Sequence, residues 1–114
     1  MGLNQHFPKT GRLRSKSDFA AMRKGRRISA GGVRLVYRFN GSGISRLGLA
    51  VSRKYGNAVA RNRLKRQLRE HFRCGSYDSL GIDVLVIPVV NVDRMVDPAH
   101  DFSQALLKIR QPYQ

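Results

Sequence analysis

The run from Ala60 to Arg73 restricts what this chain can fold into more than any other stretch. Placed on a helix at about 100° per residue, Ala60, Leu64, Leu68 and Phe72 form one stripe that drifts through about 120°. Lys65, Arg66, Arg69 and Arg73 fall opposite it, with Asn62 among them. Arg61 lies at the edge of the stripe, where its stem can cover a core, and Arg63 projects to the other flank. Such a helix must bury one face and leave a strip of positive charge on the other. Solvated helix faces usually mix signs, because opposite charges at i, i+4 help the helix. Here Arg66 and Glu70 are the only such pair, against six basic residues from Arg61 to Arg73. Unrelieved repulsion of this kind is useful when phosphates supply the counter-charge.

The rest of the chain points the same way. Twenty-two Lys and Arg against seven Asp and Glu give a net charge of +15. Solubility alone is met by a net charge of about 2–8 on a small domain. Sixteen of the cations are arginine, whose planar fork matches phosphate oxygens and stacks on bases, which favours nucleic acid over an anionic membrane. The longest apolar run, Val84 to Val90, is interrupted by Pro88 and too short to span a bilayer. Cys74 is the only cysteine, so neither a disulfide framework nor a cysteine metal site is expected. With no secretory pattern in Met1 to His6, the expected location is cytoplasmic.

The length suits a single domain over residues 1–114, with residues 1–12 expected as a flexible basic arm. Ser17 to Lys24 reads as a short helix stopped by Gly25. Val33 to Phe39 alternates: Val33, Leu35, Tyr37 and Phe39 share one face, while Arg34 and Arg38 flank Val36 on the other. Asn40-Gly41-Ser42-Gly43 reads as a turn into a second strand, Leu47 to Val51, and so as a hairpin. Gly56-Asn57 opens the long basic helix, which ends before Gly75. Ile82 to Ile87 is a strand whose lack of alternation predicts burial on both faces. Asp97-Pro98 is a cap and first-turn proline for a last helix with Phe102, Ala105, Leu106 and Ile109 inward. The predicted order is helix, hairpin, helix, strand, helix: an α+β fold, a two-layer α/β sandwich with a small mixed sheet.

A protein nuclease would need clustered carboxylates to hold Mg²⁺. Asp18, Glu70, Asp78, Asp83, Asp93, Asp97 and Asp101 form no such pattern, and His6, His71 and His100 have no partner at metal-ligand spacing. Ser52 near Lys54 lacks a third group to orient a nucleophile. No catalytic centre is expected in the chain itself.

The basic helix also carries a resemblance. Arg61-Asn62-Arg63, then Leu64-Lys65-Arg66, Leu68, Arg69-Glu70 and Phe72-Arg73, resemble the signature of the bacterial ribonuclease P protein family. The lead-in Arg46-Leu47-Gly48-Leu49-Ala50-Val51-Ser52-Arg53-Lys54, Gly56-Asn57-Ala58-Val59 fits too, as do Phe7-Pro8, Leu13 and Asp18-Phe19. The likeness runs from Phe7 to Arg73 and more loosely through Ile82 to Ile87.

The resemblance implies a left-handed crossover joining parallel strands through the basic helix, although such connections are nearly always right-handed. It implies that Arg61, Asn62, Arg63, Lys65, Arg66 and Arg69, with Arg53 and Lys54, contact a catalytic RNA subunit. It implies a cleft between the sheet and the first helix for the single-stranded 5′ leader of precursor tRNA, at Phe19, Val33, Leu35 and Tyr37. The RNA would do the chemistry with Mg²⁺ bound mainly by RNA, and no protein partner or membrane is required. The residue types alone leave Phe19 and the strand face open to core or cleft. One position departs: near where family members often carry a second aromatic, one turn after Phe19, stands Arg23. A ribosomal or other structural RNA-binding protein would share the size and charge. A DNA-binding module would need a turn-linked helix pair or a dimerisation heptad, and neither is present.

Overall fold

A computed structural model describes residues 12–13, 16–41, 44–75 and 81–109. The elements are α1 (Lys16–Ala21), extended by a 3-10 turn over Met22–Lys24, then β1 (Arg26–Ala30), β2 (Val33–Phe39) and β3 (Arg46–Leu49). There follow α2 (Ala58–Cys74), β4 (Ile82–Pro88), a 3-10 turn over Val92–Arg94, and α3 (Pro98–Leu107). The expected arm lies outside the described residues except for Arg12, which bridges to Leu47.

The caps are where the sequence puts them. The Asn57 side chain accepts from the Ala60 amide at 2.9 Å and starts α2. Asp97 accepts from the His100 amide at 3.1 Å, with Pro98 in the first turn of α3. Each cap satisfies a donor that a helix start would otherwise leave unpaired.

The hairpin is the main correction. Among the described residues the sheet has four strands in the order β1-β2-β4-β3. β2 does not pair with β3; its neighbours are β1 and β4, both antiparallel. The true hairpin is β1-β2, turned by Gly31-Gly32, and β1 was not expected. Gly31 has φ +55, and a Cβ there would come within 2.3 Å of the Asp101 carboxylate. That carboxylate accepts from the Gly32 amide at 2.9 Å, tying the turn to α3. β3 runs parallel to β4, so α2 is the crossover between adjacent parallel strands.

The register gives the sheet two different faces. Val33, Leu35, Tyr37, Leu47, Ile82, Val84 and Val86 pack against Leu64, Leu68 and Phe72 of α2 and Phe102, Ala105 and Leu106 of α3. Phe72 and Phe102 stack at 6.2 Å between centroids. On the opposite face Val36 is buried with Leu13 and Met22, with Leu85 and Ile87 packed alongside. The short α1 segment thus adds a partial third layer to the expected sandwich. β4 is apolar on both sides because it has cover on both.

Candidate nucleic-acid interface

α2 splits as its sequence requires. Leu64, Leu68 and Phe72 are buried, while Asn62, Arg63 and Arg66 are exposed and Lys65, Arg69 and Arg73 are half-buried. Arg61 is at the seam: its guanidinium donates to the Gly56 carbonyl at 2.8 Å, which fixes the entry of the helix. The expected Arg66–Glu70 pair does not form. Glu70 pairs instead with Arg73, three residues on, so Arg66 keeps its charge toward solvent. Arg53 and Lys54 are exposed on the turn that leads from β3 to α2, anchored by buried Tyr55. The Tyr55 carbonyl accepts from the Val92 amide at 2.8 Å. Burial of its ring pushes the Tyr55 hydroxyl above its ordinary pKa. The structure therefore brings the eight residues expected at a catalytic-RNA contact onto one helix and its leading turn.

The expected leader cleft is divided. Phe19 is 36% exposed on α1, and its ring sits over Gly48, where a Cβ would come within 3.2 Å of the ring edge. Val33, Leu35 and Tyr37 are on the other face of the sheet. Val33 and Leu35 are fully buried and Tyr37 is 5% exposed, all within the α2–α3 core, so they are core and not cleft. Strand alternation is the reason: residues that face α2 cannot also face α1. The strand residues on the α1 face are Arg34, Val36 and Arg38 of β2, with Leu85 and Ile87 of β4. Arg23 is exposed on the 3-10 turn beside buried Met22.

A feature missed in the sequence is the fixing of two of these cations by a buried carboxylate. Asp83 accepts from Arg46 Nε at 2.9 Å and Nη2 at 2.8 Å, from Arg38 Nε at 3.2 Å, and from Asn40 Nδ2 at 2.8 Å. Burial alone would raise the Asp83 carboxyl; the hydrogen bonds from Arg46 and Asn40, the Arg46 charge and the Arg38 bond outweigh it and hold it below its usual range. Two basic residues directly across from one aspartate on a central strand were the available signal, once the strand order is known. Among the described residues no group of three His, Cys, Asp or Glu is placed to hold a metal ion, and no helix is long and apolar enough to cross a membrane.

Residues 7–110 match the family model for ribonuclease P. The chain is 38% identical over 88 residues to the ribonuclease P protein component of Thermotoga maritima, covering 75% of each chain. It is 36% identical over 107 residues to that of Dictyoglomus thermophilum, covering 90% of this chain and 88% of the relative. Among solved structures, the Thermotoga maritima RNase P protein superposes with a TM-score of 0.76 at 33% identity, covering 88% of this chain and 98% of that one. The Staphylococcus aureus protein gives 0.76 at 28%, covering 87% and 94%. With the basic helix, its capped start and its packing all in place, the chain belongs to the bacterial ribonuclease P protein family, the protein side of a tRNA-processing ribonucleoprotein.

Proposed function

We propose that the chain binds the ribonuclease P RNA through the outer face of α2 and the Arg53–Lys54 turn, and promotes removal of the 5′ leader from precursor tRNA. The observation that carries this is the division of α2 between a buried apolar stripe and the exposed Asn62, Arg63 and Arg66. The core holds the helix rigid, so binding need order only the exposed side chains and not the backbone that carries them. RNA supplies the hydrolytic chemistry and holds most of the Mg²⁺; this chain neutralises crowded phosphates and holds substrate. The leader lies along the α1 face of the sheet, where half-exposed Phe19 offers a stacking surface and Arg34 a phosphate contact. Arg23, exposed on the 3-10 turn that extends α1, shifts the balance there from stacking toward charge.

The test is reconstitution with the RNA at low Mg²⁺. The protein should raise cleavage of precursor tRNA by the RNA and should cleave nothing alone. Cleavage by RNA-free protein, or no effect on the RNA, refutes the proposal. Recovery of ribosomal RNA in place of ribonuclease P RNA with the tagged protein would favour a ribosomal role.

A further inference from the structure

β1 is an edge of the sheet, on the side away from α2: α2 packs with β3, and α3 with β1 and β2. It is also shorter than its neighbour. The pairing stops at Arg26 opposite Tyr37, so Arg38 and Phe39 of β2 run on past the end of β1. The chain reaches this place from Lys24 through Gly25, which crosses close over β2. A Cβ on Gly25 would come within 2.8 Å of the Tyr37 carbonyl oxygen and 2.9 Å of Val36 Cγ1, so only glycine lets the 3-10 turn lie so near the strand.

The overhang leaves a notch of about 160 Å³ lined by Lys24, Gly25, Arg26, Tyr37, Arg38 and Phe39. Small-molecule sites usually enclose about 300–1,000 Å³, so this one suits a single base or phosphate and not a whole metabolite. Among the described residues its wall holds three cations and no acid. Arg38 donates from Nε to Asp83 at 3.2 Å, which fixes its guanidinium and partly answers its charge. Lys24 and Arg26 are exposed. The apolar part of the wall is aromatic: Phe39 is half-buried, its ring edge-on to that of Tyr37 at 6.1 Å between centroids. Cations on an edge strand discourage pairing with another chain, but that task needs neither a cavity nor a ring. Positive charge round an aromatic surface suits unpaired RNA of any sequence.

We propose that this notch holds one nucleotide of the 5′ leader, its phosphate between Lys24 and Arg26 and its base against Phe39, farther from the cleavage point than the nucleotide at Phe19. This rests on the reading of the α1 face as the path of the leader. The direction follows from that path. Phe19 sits over Gly48 of β3, the strand that α2 packs with, and Arg34 stands on β2, next to β1. From β3 to β1 is three strand spacings, roughly 14 Å, and the 3-10 turn after α1 carries the wall of the cleft on to Lys24.

The experiment measures binding of precursor tRNA to the assembled enzyme, with the leader lengthened one nucleotide at a time, for the parent, Lys24→Gln, Arg26→Gln and Phe19→Ala. Parent affinity should step up when the leader becomes long enough to reach the notch. Lys24→Gln and Arg26→Gln should each weaken the longer leaders by about five- to tenfold, the worth of a hydrogen bond to a charged group, and spare the shorter ones. Equal losses at every length, or a loss for mature tRNA, would put the two cations on the tRNA body or the catalytic RNA and overturn the proposal. If neither variant loses affinity while Phe19→Ala does, the notch falls and the leader path stands. If Phe19→Ala loses none either, both fall. Thermal melting of the free protein should be unchanged, because both side chains are exposed. A lower melting temperature in either variant would mean that the cation supports the fold, and would overturn its place in the notch. An abasic nucleotide at the position that brings the step keeps the phosphate and removes the base. The step should then shrink, and a step of full height would overturn the contact with Phe39.

Discussion

The two faces of the sheet are made by the same strands and do opposite work. Toward α2 and α3, β2 contributes Val33, Leu35 and Tyr37 to a closed core. Toward α1 it contributes Arg34, Val36 and Arg38, and only Val36 of these is buried. One residue's step along the strand therefore moves from the closed core to the partly open face proposed for the leader. A substitution should be read by the face it falls on, not by its place in the chain.

Tyr37→Ala is the strongest attempt to break that division. As a core residue Tyr37 should leave a cavity and cost about 3–5 kcal/mol of stability, read by denaturant or thermal melting of the free protein. An unchanged melting temperature with a selective loss for precursor tRNA would return Tyr37 to the cleft.

Asp83→Asn comes next. It keeps a hydrogen-bonding shape but removes the charge facing Arg38 and Arg46, which are partly exposed, so the cost should be about 1–3 kcal/mol. The sign with pH follows from the depressed carboxyl. Its stabilisation is full above the unfolded aspartate pKa of about 3.9 and fades as pH falls through the lower folded value. Parent and variant melting temperatures should therefore converge in acid. A gap that stays constant down to strong acid would show that the charge is not the cause.

Phe19→Ala tests the open face. Precursor tRNA should bind the assembled enzyme about 1–2 kcal/mol more weakly, with mature tRNA hardly affected. Equal losses for both would remove Phe19 from the leader site. Arg66→Ala should act least on the fold: RNA affinity falls by about 1 kcal/mol, and the slope of log K against log salt shrinks by a little under one. A lower melting temperature would mean that Arg66 supports the core instead.

What was legible in the sequence was what depends on neighbours in the chain. The phase of α2, its Asn57 start, the Asp97-Pro98 start of α3 and the alternation of β2 all follow from local spacing. β1 was missed because Ile28 is its only large apolar residue and it lies at the sheet edge, although Gly31-Gly32 is a strong two-residue hairpin signal. The false β2-β3 hairpin arose because β4, far along the chain, inserts between strands that sequence order made adjacent. The cleft residues were assigned by likeness, onto positions whose own alternation already set Arg34 and Arg38 on the other face. The Asp83 cluster was invisible for the same reason as the strand order: its arginines are remote in sequence and meet only through pairing with β4.

The central place of β4 has a consequence for how the chain is made. A ribosome releases β3 and the whole of α2 before it releases the strand that β3 must lie against. The β1-β2 ribbon can close early, being local, but the segment that carries the cations has no finished sheet to rest on until residues 82–88 emerge. During synthesis the basic helix is thus exposed to every polyanion nearby while still unsupported. Its buried stripe is covered only once β4 and then α3 have followed it out.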